Sequence, residues 1–397
     1  MATAVAGDPS DSFGETTIPK VAFIFGTRPE AIKCAPVINA MKLDRRFEPL
    51  VVSTGQHREM LDITLTEFGI RPDIELNVMQ PRQTLSQVTH RILEMLSMQM
   101  EQWGMDAVIV HGDTASTLAG ALAAFQHRIP IIHLEAGLRS GNIASPFPEE
   151  ANRRLVAQIT DLHLAPTIRS SENLIREGAR EDRITVTGNT VVDALHWAAE
   201  NAPAFAEPAL ADLKNDTRRI VVASAHRRES WGAPMHEIAR ALVQLSSQEN
   251  VRVIIPLHKN LAVREVMLPY LSNQANITVV DPLPYRNFCS LMLRSDIIIS
   301  DSSGAEEEGP SLGKPTLVLR DITERPEAVE AGTARLVGRS TARIVSEATR
   351  LLRDPDEYSR MARPVDAYGD GKATTRVIDA IARYFAAQTA REARLAS

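Results

Sequence analysis

The chain has 397 residues, 44% of them hydrophobic and 24% charged, with a formal net charge of −6 and two cysteines, Cys34 and Cys289. That length exceeds one ordinary domain and points to two. The lack of a basic excess argues against a nucleic-acid or anionic-membrane binder, and two cysteines without CxxC spacing fit a reducing, cytoplasmic compartment rather than a disulfide scaffold.

Residues 1–18 are small and polar, lack the apolar core of a signal peptide, and are expected to be a disordered tail. No run approaches the roughly 18 apolar residues of a membrane helix. Short β-branched runs follow at 21–25 (VAFIF), 49–53 (PLVVS), 107–111 (AVIVH), 130–134 (PIIHL), 161–165 (DLHLA) and 184–188 (ITVTG). After a Pro-containing stretch at 201–217, a second series begins: 220–224 (IVVAS), 252–256 (RVIIP), 277–280 (ITVV), 296–300 (DIIIS) and 316–320 (TLVLR). Continuous apolar strands alternating with helical patterns read as parallel sheets covered on both faces. The expected fold class is therefore α/β, with two Rossmann-like, doubly wound halves.

Ligands of such sheets bind beyond the carboxyl ends of the strands, so the residues there matter most. The first strand runs into Gly26-Thr27-Arg28-Pro29-Glu30, where Thr27 and Glu30 have capping-box spacing and Pro29 suits an early helical position. The free N–H groups of that helix, with Arg28 and Lys33, read either as an anion site or as an ordinary capped helix with a solvated arginine. No GxGxxG fingerprint occurs there, so no nicotinamide cofactor is expected. A second candidate anion site is Ser302-Ser303-Gly304, where hydroxyls and backbone N–H groups open a helix. Glu306, Glu307 and Glu308 follow, either as a solvated acidic turn or with one of them accepting hydrogen bonds from ribose hydroxyls.

Asp113 and Glu135 end strands, and Glu149 and Glu150 begin a helix; Arg139, Arg153 and Arg154 are close enough in sequence to pair with them. His226 opens an Arg-rich turn, AHRRES, and suits a leaving diphosphate; His111, His133 and His258 also fall at strand ends. No HExxH or similar spacing occurs, so no metal is expected.

The segments FGTRPEAIKCAP, TGQHREMLD, VHGDTASTLAGALAAF, HLEAGLRSG, PFPEEANRRL, GNTVVDAL, AHRRES, DSSGAEEEGPSLGKP and RDITERPEAVEAGT, in this order over nearly the whole chain, resemble the non-hydrolysing UDP-N-acetylglucosamine 2-epimerases. The resemblance implies a GT-B-like architecture with a cleft between its halves. It also implies an N-terminal domain at 19–190, a UDP-binding domain at 191–370 and a C-terminal helix at 371–397 returning to the first. It implies that Arg28, Lys33 and His226 bind or position UDP, and that Ser302, Ser303 and Gly304 form the diphosphate loop. Glu308 would hold the ribose, Arg325 the nucleotide side, and Phe288 would lie near the uracil. Asp113, Glu135 and Glu149, with His226, would carry the chemistry. Gln56, His57 and Gln80 match positions that some bacterial members use for a second UDP-N-acetylglucosamine, an activator, and the family's homodimer is expected. Three departures stand out: Ser303 replaces a usual Gly, Glu306 a usual Gln, and Arg82 a common Gly. If position 303 requires a positive φ, serine would be strained there.

The implied reaction is reversible epimerisation to UDP-N-acetylmannosamine through loss of UDP, a 2-acetamidoglucal and re-addition of UDP, with no cofactor. The alternatives are a hydrolysing epimerase, an epimerase for a modified diacetamido sugar, a GT-B glycosyltransferase and a non-catalytic nucleotide-sugar sensor.

Overall fold

The β-branched runs form strands and sort into two all-parallel sheets. The structure is a computed structural model that describes residues 18–56, 58–80 and 82–396. The expectation of a disordered tail falls, apart from Ile18, on residues outside these, as does His57.

The first sheet comprises β1 (Lys20–Phe25), β2 (Glu48–Ser53), β3 (Ile74–Glu75), β4 (Ala107–His111), β5 (Ile131–Leu134), β6 (Leu162–Ala165) and β7 (Ile184–Val186). Its order is β3-β2-β1-β4-β5-β6-β7. The second sheet comprises β8 (Arg219–Ser224), β9 (Val251–Pro256), β10 (Ile277–Val280), β11 (Ile297–Ser300), β12 (Thr316–Val318) and β13 (Ala334–Leu336), in the order β10-β9-β8-β11-β12-β13. In each sheet the chain winds outward from the first strand and then returns to its other side. The order therefore reverses between β1 and β4, and again between β8 and β11, which is where such sheets open a crevice. Ile24 lies opposite Val110 and Ser224 opposite Ser300, so the strands flanking each crevice end nearly level.

The two sheets are joined through a shared core rather than a thin linker. The helix Thr190–Glu200 packs on the helix Arg28–Leu43 of the first half and on the helices Tyr285–Arg294 and Ser303–Ser311 of the second. One apolar cluster accordingly runs from Val21 and Phe23 through Val191 and Leu195 to Tyr285, Ile298 and Val318. The C-terminal helix Ala373–Ala396 lies against the helix Arg28–Leu43, with Phe385 and Phe47 ring centroids 6.0 Å apart. Its first N–H groups, on Ala373 and Thr374, donate to Asp193 at 3.2 and 2.8 Å, which caps the end that a helix leaves unsatisfied. No helix among the described residues is long and apolar enough to cross a membrane.

Candidate functional site

The turn after β1 is built by close packing. A Cβ on Gly26 would fall 1.9 Å from Thr54 Oγ1, so only glycine lets the strand turn here. Glu30 accepts the Gly26 and Thr27 N–H groups at 3.0 and 2.8 Å, completing the capping half that the sequence spacing anticipates. Arg28 reaches across to the second half, where its guanidinium donates to the Leu283 carbonyl at 3.0 Å; burial lowers its pKa, opposed by the Glu67 and Glu308 carboxylates.

Lys33 does not lend its charge to the helix terminus. It is buried, bonds Glu135, and lies 2.8 Å from Glu307 Oε2 of the second half. Arg325 bonds Glu307 and Glu324, and its Nη2 is 3.4 Å from Glu135 Oε1. Asn189 Nδ2 donates to Glu135 Oε2 at 2.8 Å and to Glu307 Oε1 at 3.1 Å. These groups form a buried ionic seam between the halves. Burial works to raise the Glu135 pKa, but Lys33, His111 and Arg325 outweigh it and hold the carboxyl well below its ordinary range. Glu135 also takes φ +62°, the left-handed region that costs a non-glycine about 1 kcal/mol or more. Its partners hold that conformation.

Asp113 and Glu149 have different surroundings. Asp113 keeps part of its side chain exposed to the cleft while Arg153 Nη1 holds its Oδ2 at 2.6 Å. Glu149 is part-buried at the start of the helix Glu149–Ile159; burial and then the Asp113 charge raise its pKa, while Arg227 of the second half and Arg153 pull it down. The neighbouring Glu150 is fully buried, bonds the Ser140 N–H at 3.0 Å and pairs with Arg153 and Arg154, so it serves structure. Arg139 pairs with Glu177 instead of a cleft acid. His133 also serves structure: burial pushes its pKa down to about 3, and its Nε2 lies 2.8 Å from the Gly112 carbonyl.

The second half contributes His226, whose ring stacks on His258 with centroids 5.4 Å apart. Burial lowers its pKa, Asp301 opposes, and Arg227 and Arg28 add to the lowering. Asp301, fully buried at the end of β11, accepts the His226 N–H at 3.0 Å, the Arg227 N–H at 2.9 Å and the Ser230 hydroxyl at 2.8 Å. One carboxylate thus shapes the whole turn that presents His226. Ser145 of the first half and Arg227, Arg320 and Arg339 of the second line a common cavity. Glu149 thus lies within electrostatic reach of Asp113 in its own half and of Arg227 in the second.

The candidate diphosphate loop caps the helix Ser303–Ser311, with Ser302 at the N-cap and its N–H bonded to Ser300 Oγ at 2.9 Å. Ser303 is the first helical residue and has no positive φ, so the strain anticipated for it does not arise. Arg82, the other replaced glycine, does take φ +62°. The three following glutamates are all buried, which overturns the reading of a solvated acidic turn. Each has its own neighbours: Glu306 lies 3.4 Å from Arg320, Glu307 belongs to the ionic seam, and Glu308 accepts the Tyr285 hydroxyl at 2.8 Å. Phe288, part-buried on the helix Tyr285–Arg294, packs against the core.

Burial, reinforced by Glu324, pushes the Glu306 pKa up to about 7, and its Oε1 has no hydrogen-bond partner. The folded chain therefore binds a proton that the unfolded chain has already released near pH 4.5, and stability falls as pH rises from there through about 7. Glu306→Gln is expected to stabilise the fold by up to about 3 kcal/mol near pH 8 and to change little near pH 4. Urea unfolding of both proteins at the two pH values checks this; equal stability near pH 8 would contradict it.

Of the expected activator residues, Gln56 accepts the Ser116 hydroxyl at 3.3 Å, and Gln80 is exposed with its N–H bonded to Gln83 at 2.6 Å. Their loops run side by side, joined by the Val78 N–H to the Thr54 carbonyl at 3.0 Å. No cluster of histidine, cysteine or acidic residues among the described residues is arranged to hold a metal ion. Sequence reasoning did not single out Asp301, Tyr285, Asn189 or Glu67. The position of Asp301 directly after β11 was the available signal; Asn189 is legible only as the cap of its own helix, and Tyr285 and Glu67 act through partners far along the chain.

A family model described as UDP-N-acetylglucosamine 2-epimerase matches residues 39–382. The UDP-N-acetylglucosamine 2-epimerase of Salmonella typhimurium is 46% identical over 372 residues, covering 92% of this chain and 99% of that protein. The crystal structure of UDP-GlcNAc 2-epimerase from Neisseria meningitidis bound to UDP-GlcNAc superposes with a TM-score of 0.88 at 42% identity, over 92% of this chain and all of that one. The enzyme from Methanocaldococcus jannaschii, in complex with UDP-GlcNAc and UDP, gives 0.82 at 29% identity, over 92% and 99% of the two chains. With two parallel sheets in the GT-B-like arrangement and this similarity along nearly its full length, the chain belongs to the UDP-N-acetylglucosamine 2-epimerase family.

Proposed function

We propose that this protein interconverts UDP-N-acetylglucosamine and UDP-N-acetylmannosamine without releasing free sugar. The observation that carries the reading is that Glu149, beside Asp113, feels the charge of Arg227 from the other half, on the same Asp301-held turn that presents His226.

The proton on the second sugar carbon has no adjacent carbonyl and is weakly acidic. It becomes removable once the bond from the anomeric carbon to the UDP oxygen begins to break. The bonding pair leaves with UDP, the carbon–hydrogen pair forms the new double bond, and a 2-acetamidoglucal results. Re-addition of UDP to the anomeric carbon, with a proton delivered to the opposite face of the second, gives the epimer. No net oxidation occurs.

In this reading Arg28, His226 and the Ser302–Gly304 loop hold the leaving diphosphate, whose growing charge they stabilise more than the ground state. Asp113 and Glu149 handle the protons. Glu149, with its raised pKa, is the better donor, which leaves Asp113, held in place by Arg153, to take the other proton; the two exchange roles on return. Glu135 is a weaker base because its partners stabilise the anion, and we assign it with Lys33, Glu307 and Arg325 to holding the halves in register. Phe288 and Glu308 are assigned to uracil and ribose. Gln56, His57 and Gln80 are retained as an activator site, within a cytoplasmic homodimer.

Phosphorus NMR of a reaction started with UDP-N-acetylglucosamine tests the non-hydrolysing character. Two diphosphate-sugar species at a constant total are expected. Steady accumulation of free UDP would instead mark a hydrolysing enzyme.

A further inference from the structure

Tyr285 is buried, yet its hydroxyl is not an idle core group: it donates to Glu308 Oε1 at 2.8 Å. A carboxylate has two oxygens and can rotate about its last bond. One fixed oxygen therefore fixes the plane of the other. Glu308 Oε2 lies beside Gly304, 3.4 Å from where an added Cβ would stand, with Ser302 Oγ 3.7 Å from the same point, so this oxygen is turned toward the candidate diphosphate loop.

The place of Tyr285 is itself set from the opposite half. It opens the helix Tyr285–Arg294, whose N-cap is Pro284, a residue with no side-chain acceptor for the free N–H groups. Glu67, the last residue of the helix Arg58–Glu67, supplies the acceptor instead. It takes the Tyr285 N–H at 2.7 Å and the Arg286 N–H at 3.1 Å, and its negative charge favours that helix end. Phe68, next in the chain, stacks on Trp197 and lies 6.0 Å from the Tyr285 ring, so the contact is braced.

We propose that Tyr285 is a positioning residue for nucleotide ribose recognition: its hydroxyl orients Glu308 toward the ribose hydroxyls, and Glu67 of the first half holds Tyr285 in place. The inference rests on the assignment of Glu308 to the ribose. It makes ribose recognition depend on contact between the halves, because the Glu67 bonds exist only while the two are together.

The test is calorimetric binding of UDP and of 2′-deoxy-UDP to the full-length protein, to Tyr285→Phe and to Glu67→Ala, with circular dichroism to confirm folding. The wild type is expected to prefer UDP. Tyr285→Phe keeps the buried ring and is expected to weaken UDP about tenfold while weakening 2′-deoxy-UDP less than about threefold. Glu67→Ala is expected to erode the same preference, by a smaller factor. Equal weakening of both ligands in Tyr285→Phe, or no weakening, overturns the positioning role while leaving the ribose assignment intact. An unchanged preference in Glu67→Ala overturns the dependence on contact between the halves. A wild type that binds both ligands equally overturns the ribose assignment and this inference together, and leaves epimerisation, read by NMR, untouched.

Discussion

Asp113→Asn and Glu149→Gln are each expected to lower kcat by about 10²- to 10⁴-fold, the usual contribution of a positioned acid or base. UDP affinity is expected to stay within a few-fold, because neither side chain belongs to the diphosphate-binding groups. The two variants should differ in pH response. Glu149 has a raised pKa, so its loss should remove the limb of the rate profile on which activity falls as pH rises. Removing both should cost little more than removing one, since groups that act as a unit are not additive. Steady-state rates across pH, with UDP binding measured beside them, decide the matter; rates near normal for both single variants would take these carboxyls out of the chemistry.

Lys33→Met is expected to destabilise the protein by about 3–5 kcal/mol, the cost of stripping one partner from a buried ion pair. Lys33 lies between Glu135 and Glu307, and although burial works to lower its pKa, those two carboxylates hold it above the ordinary value. Without the ammonium, Glu135 and Glu307 retain Arg325 and Asn189 but stay buried. Glu135 should then lose the part of its downward pKa shift that Lys33 provides. A depressed carboxyl contributes its stability above the ordinary carboxylate range and loses it as pH falls, so the loss in the variant should be greater near pH 7 than near pH 3. Adding Glu135→Gln removes one of the stranded charges and should recover part of the stability. Urea unfolding of the single and double variants measures this coupling. A Lys33→Met protein as stable as wild type would mean that the seam does not bind the halves together.

The sheets and the crevice were legible because apolar β-branched strands announce themselves and parallel topology dictates where their ends converge. β3 and β13 escaped: β3 has only two residues, and the Ala-Arg-Leu of β13 contains no β-branched residue. Turn chemistry was also legible: Thr27, Pro29 and Glu30 specify a helix start from local spacing alone. What long-range partners do was less so. Lys33 looks from its helix like an added charge for an anion site, and only the meeting of β5's end with the helix Ser303–Ser311 reveals Glu135 and Glu307 as its neighbours. The same applies to the three successive glutamates. Helical phase separates their directions, but not which of them meets Arg320, Lys33 or Tyr285. Ser303 shows the limit from the other side: its residue type warned of strain, and its helical position removes it.

The claim that one cleft breaks both the anomeric carbon–oxygen bond and the neighbouring carbon–hydrogen bond is tested most directly by proton NMR of UDP-N-acetylglucosamine incubated with the protein in deuterated water. The expected result is loss of the signal from the second sugar carbon in both epimers, with UDP still attached to the sugar. An epimer that retains its original proton, or no exchange and no epimer, would contradict the account.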